Sequence, residues 1–356
     1  MTGLGIVGCG WVTANRHLPA LTRVRELDVV ALADVDAKAV DALAARFGAH
    51  ARYGGVGQLL EDPRVEAVAV CVPPSAHVEV ALAALEAGKH VFVEKPLALT
   101  LEDADRLVEQ AARTGLTAMT GFNLRFHRLV RQLRDLVASG ELGAIHAVGT
   151  TYTDDVLLRP DHPDWRDARE LGGGTLLEKA IHHFDLWRFL LADEVAEVHA
   201  HTSSEPAEVV ASVSARMRRG VLASTLAVDA TSISNQVAVY GVQGRAALDL
   251  HRFDGLERAA PSEASGAVRM RAQSLLRTAR ILPAGLVAAR KGGEALLAYE
   301  SEWRHFARAI VGETAVESTL GDGLRALEIA LAALESAATG QRVSVRSGHR
   351  SGFTVS

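Results

Sequence analysis

Cysteine, lysine and aromatic residues are scarce in this 356-residue chain, and each scarcity excludes something. The two cysteines, Cys9 and Cys71, cannot staple a chain of this size and have no metal-site spacing. Both fall at expected strand ends, where they read as small core residues in a reducing cytoplasm. No run of about 18 apolar residues occurs, so no membrane span is expected. Met1-Thr2-Gly3-Leu4-Gly5 lacks the basic and apolar regions of a secretion signal, so a cytoplasmic location is expected. No cluster of His, Cys, Asp or Glu has ligand spacing, and no metal is expected. A surplus of basic charge is missing too. The net charge is −5, which gives no general pull toward nucleic acid.

One stretch inverts that sign. Residues 264–293 carry Arg269, Arg271, Arg277, Arg280, Arg290 and Lys291 and no acid. Taking these six charges from the net −5 leaves −11 for the remainder. The stretch has no aromatic residue, so it is no base-stacking surface. It reads first as a solvated helix or a lid over a cleft. A contact for a phosphorylated or nucleotide-linked sugar and a membrane-surface helix are the alternatives. Pro283 and Gly285 are expected to break it into two pieces.

What is present is globular composition, 48% hydrophobic and 23% charged. At about 150 residues per domain, the length suggests two domains. The first 120 residues alternate between short apolar runs and helical spacing. Strands are expected at Leu4–Val7, Asp28–Ala33, Ala67–Val72, His90–Val93 and Thr117–Thr120. Helices are expected at Val12–Val24, Ala37–Phe47, Val78–Ala87 and Leu101–Arg113. Continuous apolar strands alternating with helices predict a doubly wound α/β domain with a parallel sheet, over residues 1–121. Beyond Phe122 the runs alternate or are β-rich, with a helix near Thr175–Leu191 and late helices at Ser301–Val311 and Gly323–Thr339. That predicts an α+β domain with a largely antiparallel, open sheet over residues 122–340, and a tail over 341–356.

The first strand runs into Gly8-Cys9-Gly10-Trp11-Val12-Thr13, two glycines of a G-x-G-x-x-G/A loop with Thr13 in the third place. Such glycines let the backbone turn tightly and approach a pyrophosphate at a helix N-terminus. Asp34 ends the second strand, where an acid accepts hydrogen bonds from the adenosine ribose hydroxyls and repels a 2′-phosphate. Gly8, Gly10, Trp11, Val12 and Asp34 are therefore candidate cofactor residues. NAD is favoured, with NADP the alternative.

Glu94-Lys95-Pro96 follows the fourth expected strand, at the end of the sheet where ligands bind. Further on, Gly172-Gly173-Gly174 leads into a helix carrying Glu178, His182 and Asp185 at i, i+4 and i+7, on one face. The pattern alone leaves a catalytic histidine and a helix-surface ion pair both open. Together with Pro73-Pro74-Ser75-Ala76-His77 and Gly121-Phe122-Asn123-Leu124-Arg125-Phe126, these motifs resemble the glucose–fructose oxidoreductase/inositol dehydrogenase (Gfo/Idh/MocA) family.

The resemblance implies a Rossmann domain, an α/β domain whose open sheet forms oligomer contacts, and a homodimer or homotetramer. It implies NAD(P)-linked chemistry at a carbinol carbon of a sugar, cyclitol or related polyol. Lys95 matches the active-site lysine and His182 the proton-transfer histidine. Glu178 stands where many members have Asp, to orient His182 or bind a neighbouring hydroxyl. Pro73, His77, Glu94 and Lys95 join the cofactor candidates, with a cis peptide before Pro96. Asn123, Arg125, Asp154, Trp165, Arg166 and His183 are the substrate-side candidates. Asp155 joins them, and His183 has a second reading as a partner for Lys179 or Asp185. A glycosidase or lyase that uses transient oxidation without net redox change is the alternative activity, and a non-catalytic sensor a third reading.

Overall fold

The computed structural model describes residues 1–49, 51–159, 163–203, 207–252, 255–264 and 267–345. The first sheet contains β1 (Thr2–Val7), β2 (Leu27–Ala33), β3 (Ala51–Tyr53), β4 (Ala67–Val70), β5 (His90–Glu94) and β6 (Ala118–Gly121). Its order is β3-β2-β1-β4-β5-β6, and every pairing is parallel. This is the doubly wound order, with its switch point between β1 and β4. The two sides of the sheet feed two cores. Val7, Val68, Val70, Val91 and Val93 face one, and Leu4, Ile6, Ala67, Ala69 and Phe92 the other. Burial on both sides explains why these strands read as continuous apolar runs.

Two elements went unforeseen here, β3 and the helix Val56–Glu61. Three residues are too few to show a period, so the sheet has six strands rather than five. The first helical segment ends at Leu21, short of Val24, and opens with a π turn at Thr13–His17.

The second sheet has eight strands: β7 (Ile145–Thr153), β8 (Val195–Thr202), β9 (Val210–Met217), β10 (Leu222–Val228), β11 (Ser234–Gly241), β12 (Gly244–Asp249), β13 (Glu257–Ala259) and β14 (Val343–Ser344). The order is β13-β12-β11-β7-β10-β9-β8-β14, antiparallel except for β7 with β10. Alternation along β9 and β10 buries Ala211, Val213, Ala223 and Thr225 and exposes Leu222, Ser224 and Leu226. The helices Ile181–Leu191 and Leu320–Thr339 cover the inner face. Residues 346–356 of the expected tail lie outside the described residues, and so do 265 and 266 of the basic stretch.

Helix Gly293–Ile310 returns to the first domain, where Trp303 and Phe306 pack on Phe92. The basic stretch ahead of it is one helix, Val268–Arg290, not two pieces. Pro283 removes a single N–H from the ladder. The carbonyl it would have met belongs to exposed Ala279, where water can take over. Met270, Gly285 and Ala288 form its buried face.

Candidate active site

A cavity of about 580 Å³ lies at the switch point. Gly8, Gly10, Trp11 and Val12 line it after β1, Asp34 after β2, Pro73 and His77 after β4, and Glu94 and Lys95 at the end of β5. Every cofactor candidate of the sequence is thus on one wall or another of this space. Gly8 has φ +101°, and a Cβ there would fall 2.3 Å from the Cys71 carbonyl oxygen, so only glycine fits. Thr13 donates its hydroxyl hydrogen to the Gly8 carbonyl at 2.6 Å and holds the loop where a third glycine is missing. Both Asp34 oxygens accept backbone N–H groups, from Cys9 at 2.6 Å and Asp36 at 2.9 Å, which fixes the carboxylate at the cavity wall. His77 bridges the Pro96 and Val72 carbonyls at 2.7 and 2.9 Å, so it braces two loops.

A second cavity, of about 360 Å³, adjoins the first, and Trp11, Val12, Glu94, Lys95, Arg166 and Glu178 line both. The Lys95–Pro96 peptide is cis. Lys95 Nζ donates to the Glu178 carbonyl oxygen at 2.8 Å, which carries the ammonium from the first domain to the second. Enclosure pushes its pKa below the usual lysine range, against the pull of Glu178 and Glu94.

His182 is 8% exposed and lines the same cavity. Its Nδ1 is buried without a partner among the described residues, which leaves Nε2 as the nitrogen open to the cavity. Burial, and then the charges of Lys95, His183 and Lys179, push its pKa well below 6.5. The ring is therefore held in its neutral form near pH 7, more firmly than the ordinary imidazole value implies. The glycines ahead of it have their own anchor. Gly174 has φ +98°, and a Cβ there would sit 2.6 Å from the buried Glu208 carboxylate, which accepts from the Leu176 N–H and pairs with Arg169.

Several side chains sit elsewhere than the sequence suggested. Residues 176–180 form a π turn, whose wider spacing takes Glu178 out of line with His182. The Glu178 carboxylate meets Arg166 instead, and lies 3.7 Å from Lys179. Arg125 and Asp185 do not reach the cavity. They form a buried pair at 2.5 Å, joined by Asp322 at 3.0 Å, which ties the end of the first domain to two helices of the second. His183 faces the second sheet, bonded to Thr225 and Asn235 at 2.9 and 3.0 Å rather than to Lys179 or Asp185. Trp165 lines the first cavity, not the second. Asn123 and Asp154 do line the second, Asp154 pairing with Lys179 at 3.0 Å, whereas Asp155 is drawn off by Arg159 at 2.5 Å.

The sequence reading missed Tyr152, Arg159, Asp229 and Tyr299. Tyr152 lies under the Lys179 ammonium, and Tyr299 arrives from the helix Gly293–Ile310. Neither sits in a local pattern that marks it. A buried relay was missed as well. Trp303 Nε1–H donates to His17 Nδ1 at 3.2 Å, so Nδ1 carries the lone pair and Nε2 the hydrogen. That Nε2–H meets Glu94 Oε1 at 2.9 Å, and Glu94 Oε2 accepts the Lys95 backbone N–H at 3.0 Å. Leaving a buried carboxylate unpaired costs about 3–5 kcal/mol. His17→Leu is therefore expected to lower unfolding free energy by about 3 kcal/mol in urea titrations. A change under about 1 kcal/mol would remove the relay from the account.

Residues 2–122 match the oxidoreductase family with an NAD-binding Rossmann fold, GFO/IDH/MocA, and residues 130–247 match the GFO/IDH/MocA C-terminal domain. A 1,5-anhydro-D-fructose reductase from Ensifer adhaerens is 30% identical over 98% of this chain and 100% of its own length. A myo-inositol 2-dehydrogenase from Thermotoga maritima is 34% identical over 56% of this chain, a match that spans only 58% of that protein. The crystal structure of an oxidoreductase domain protein from Kribbella flavida superposes with a TM-score of 0.83 at 26% identity, covering 98% of this chain and 100% of that one.

Proposed function

The chain belongs to the GFO/IDH/MocA family of NAD-binding oxidoreductases, and from that premise we propose that it moves a hydride between nicotinamide and a secondary carbinol or ketone of a sugar, cyclitol or related polyol. The observation that carries this reading is that Lys95 and His182 line one cavity, which adjoins the nucleotide cleft. The Gly8 turn, the oriented Asp34 carboxylate and the cleft at the switch point fit a dinucleotide. The bound nicotinamide supplies hydride acceptance and return.

The chain's own residues handle the proton and the charge. His182 Nε2 takes the hydroxyl proton as general base, already neutral because burial and neighbouring cations hold it so. Lys95 donates a charge-assisted hydrogen bond to the substrate oxygen as negative charge builds there. For a ketone substrate both run in reverse, with His182 supplying the proton. Glu178 acts on Lys95 rather than on His182, through its carbonyl oxygen.

Asp34 favours NAD over NADP, since a carboxylate at the end of the second strand accepts from ribose hydroxyls and repels a 2′-phosphate. Asp34→Ala is expected to lower NADH affinity and to narrow the preference by about tenfold, measured as the ratio of kcat/KM for the two cofactors. The outer face of the second sheet, where Leu222, Leu226 and Tyr240 stand exposed, is our candidate contact between copies. Light scattering is expected to give a multiple of 37.8 kDa for the native protein and a smaller particle for Leu226→Asp. A native monomer would dismiss that contact. The activity itself is tested by incubating the protein and NAD⁺ with a panel of polyols, sugar acids and sugar phosphates and following absorbance at 340 nm.

A further inference from the structure

The helix Val268–Arg290 runs unbroken for 23 residues, about 35 Å, and leaves most of its surface uncovered. Met270, Gly285 and Ala288 are buried, and with half-buried Ser274, Thr278 and Ile281 they form the face turned to the protein. The opposite face is apolar as well. Val268, Leu275, Leu282 and Leu286 are all exposed, the first two by 84% and 73%. They stand 7, 7 and 4 residues apart, so at about 100° per residue they fall on one stripe. Leu276 is exposed beside it. A solvated surface helix keeps its apolar residues on the covered face and polar ones outside. This helix breaks that rule along its whole length.

The borders of the stripe are basic. By the same spacing, Arg271 stands on one side and Arg269 and Arg280 on the other, all exposed, with Arg290 and Lys291 at the C-terminal end. Arg269 pairs with Glu263 at 3.3 Å, whereas Arg271, Arg280 and Arg290 meet no carboxylate among the described residues. Residues 264–293 contain no acid.

An apolar stripe between arginines matches a surface that is anionic outside and apolar beneath, which is the headgroup boundary of an anionic bilayer. Arginine stems lie along such a boundary with their guanidinium groups among the phosphates. Nucleic acid would answer the arginines and leave the leucines in water. A second copy pairing through the same helix would set like charges against each other. The rest of the chain carries −11, which an anionic surface repels. That repulsion is screened beyond about 8 Å at physiological salt, so it orients the molecule, helix toward the lipid, without preventing contact. No described helix is long and apolar enough to cross a bilayer, so this one lies along the surface.

We propose that the helix Val268–Arg290 is a docking surface for an anionic lipid bilayer, with Val268, Leu275, Leu282 and Leu286 sunk into the headgroup boundary and the arginines on the lipid phosphates. The proposal goes beyond the hydride-transfer reading and does not depend on it.

The test is sedimentation of the full chain with vesicles of phosphatidylcholine alone, or with about one third phosphatidylglycerol. Binding to the anionic vesicles is expected to be about tenfold or more tighter, and to weaken several-fold in about 0.5 M salt. Leu275→Asp combined with Leu282→Asp puts acid into the stripe and is expected to abolish binding. Arg271→Gln combined with Arg280→Gln keeps the stripe and is expected to weaken binding to the anionic vesicles about tenfold. All four positions are exposed, so both variants are expected to keep the parent's circular dichroism and thermal midpoint.

No binding to the anionic vesicles would overturn the proposal. So would equal binding to both kinds of vesicle, or binding that survives the two aspartates. Absent vesicle binding, with a smaller particle in light scattering for the aspartate variant, would give the stripe to a second copy instead. Failure of hydride transfer would leave lipid docking standing, and failure of docking would leave hydride transfer standing.

Discussion

Lys95→Ala is expected to lower kcat by roughly 10²–10³-fold, the usual loss when one preorganised donor to a developing negative charge is removed. The lysine directly follows β5, and its ammonium donates, among the described residues, to the Glu178 carbonyl inside the shared wall of the two cavities. A group so placed strengthens its contact as charge appears on the substrate oxygen and does less for the ground state. KM and NADH affinity are therefore expected to change by only a few-fold. Lys95→Arg should not rescue, because a planar fork cannot replace a compact ammonium at that spot. Steady-state kinetics with a fluorescence titration of NADH checks each part. Turnover within about fivefold of the parent enzyme would remove Lys95 from the mechanism.

His182→Ala is expected to cost roughly 10²–10⁴-fold in kcat, the range for a positioned general base. Its more telling signature is in pH. Burial, with Lys95, His183 and Lys179 nearby, holds the ring well below 6.5. Protonation disables a base, so the acid limb of kcat/KM in the alcohol-oxidising direction should lie well below pH 6.5, with a plateau across neutrality. Lys95 acts as the ammonium, and enclosure lowers its pKa from 10.5, so activity should decline on the alkaline side before that value. An acid limb at or above pH 6.5 would contradict the environment described for His182. His182→Ala with an unchanged pH profile and near-normal turnover would remove it as the base.

The parts of this molecule legible in sequence are those whose physics is local. The doubly wound sheet shows as apolar runs because strands buried on both faces have no polar side to display. Gly8 and Asp34 are readable because a tight turn and a strand end impose their residue types within a few positions. Lys95 and His182 are 87 residues apart, and only the resemblance joined them. Counting along the helix misplaced Glu178, because the π turn at 176–180 has no signal in the pattern. Arg125 and His183 read as site residues because their types suit a site. What removes them is tertiary: ion pairs of Arg125 with Asp185 and Asp322 in one case and a bed of Thr225 and Asn235 in the other. Tyr299 and the Trp303–His17–Glu94 relay depend on a late helix folding back across the first domain. No window of local sequence contains both ends of that contact.

Hydride transfer itself is tested by one incubation with two readouts. The protein and NAD⁺ are mixed with inositols, aldoses, sugar acids, sugar phosphates, glycosides and nucleotide sugars, and absorbance is followed at 340 nm. Each mixture then goes to mass spectrometry. Hydride transfer from a carbinol predicts rising absorbance together with a product two mass units lighter than its substrate. Ketone substrates with NADH should run the same change backwards. A cleaved or eliminated product with no net NADH would contradict the account and put bond cleavage in its place.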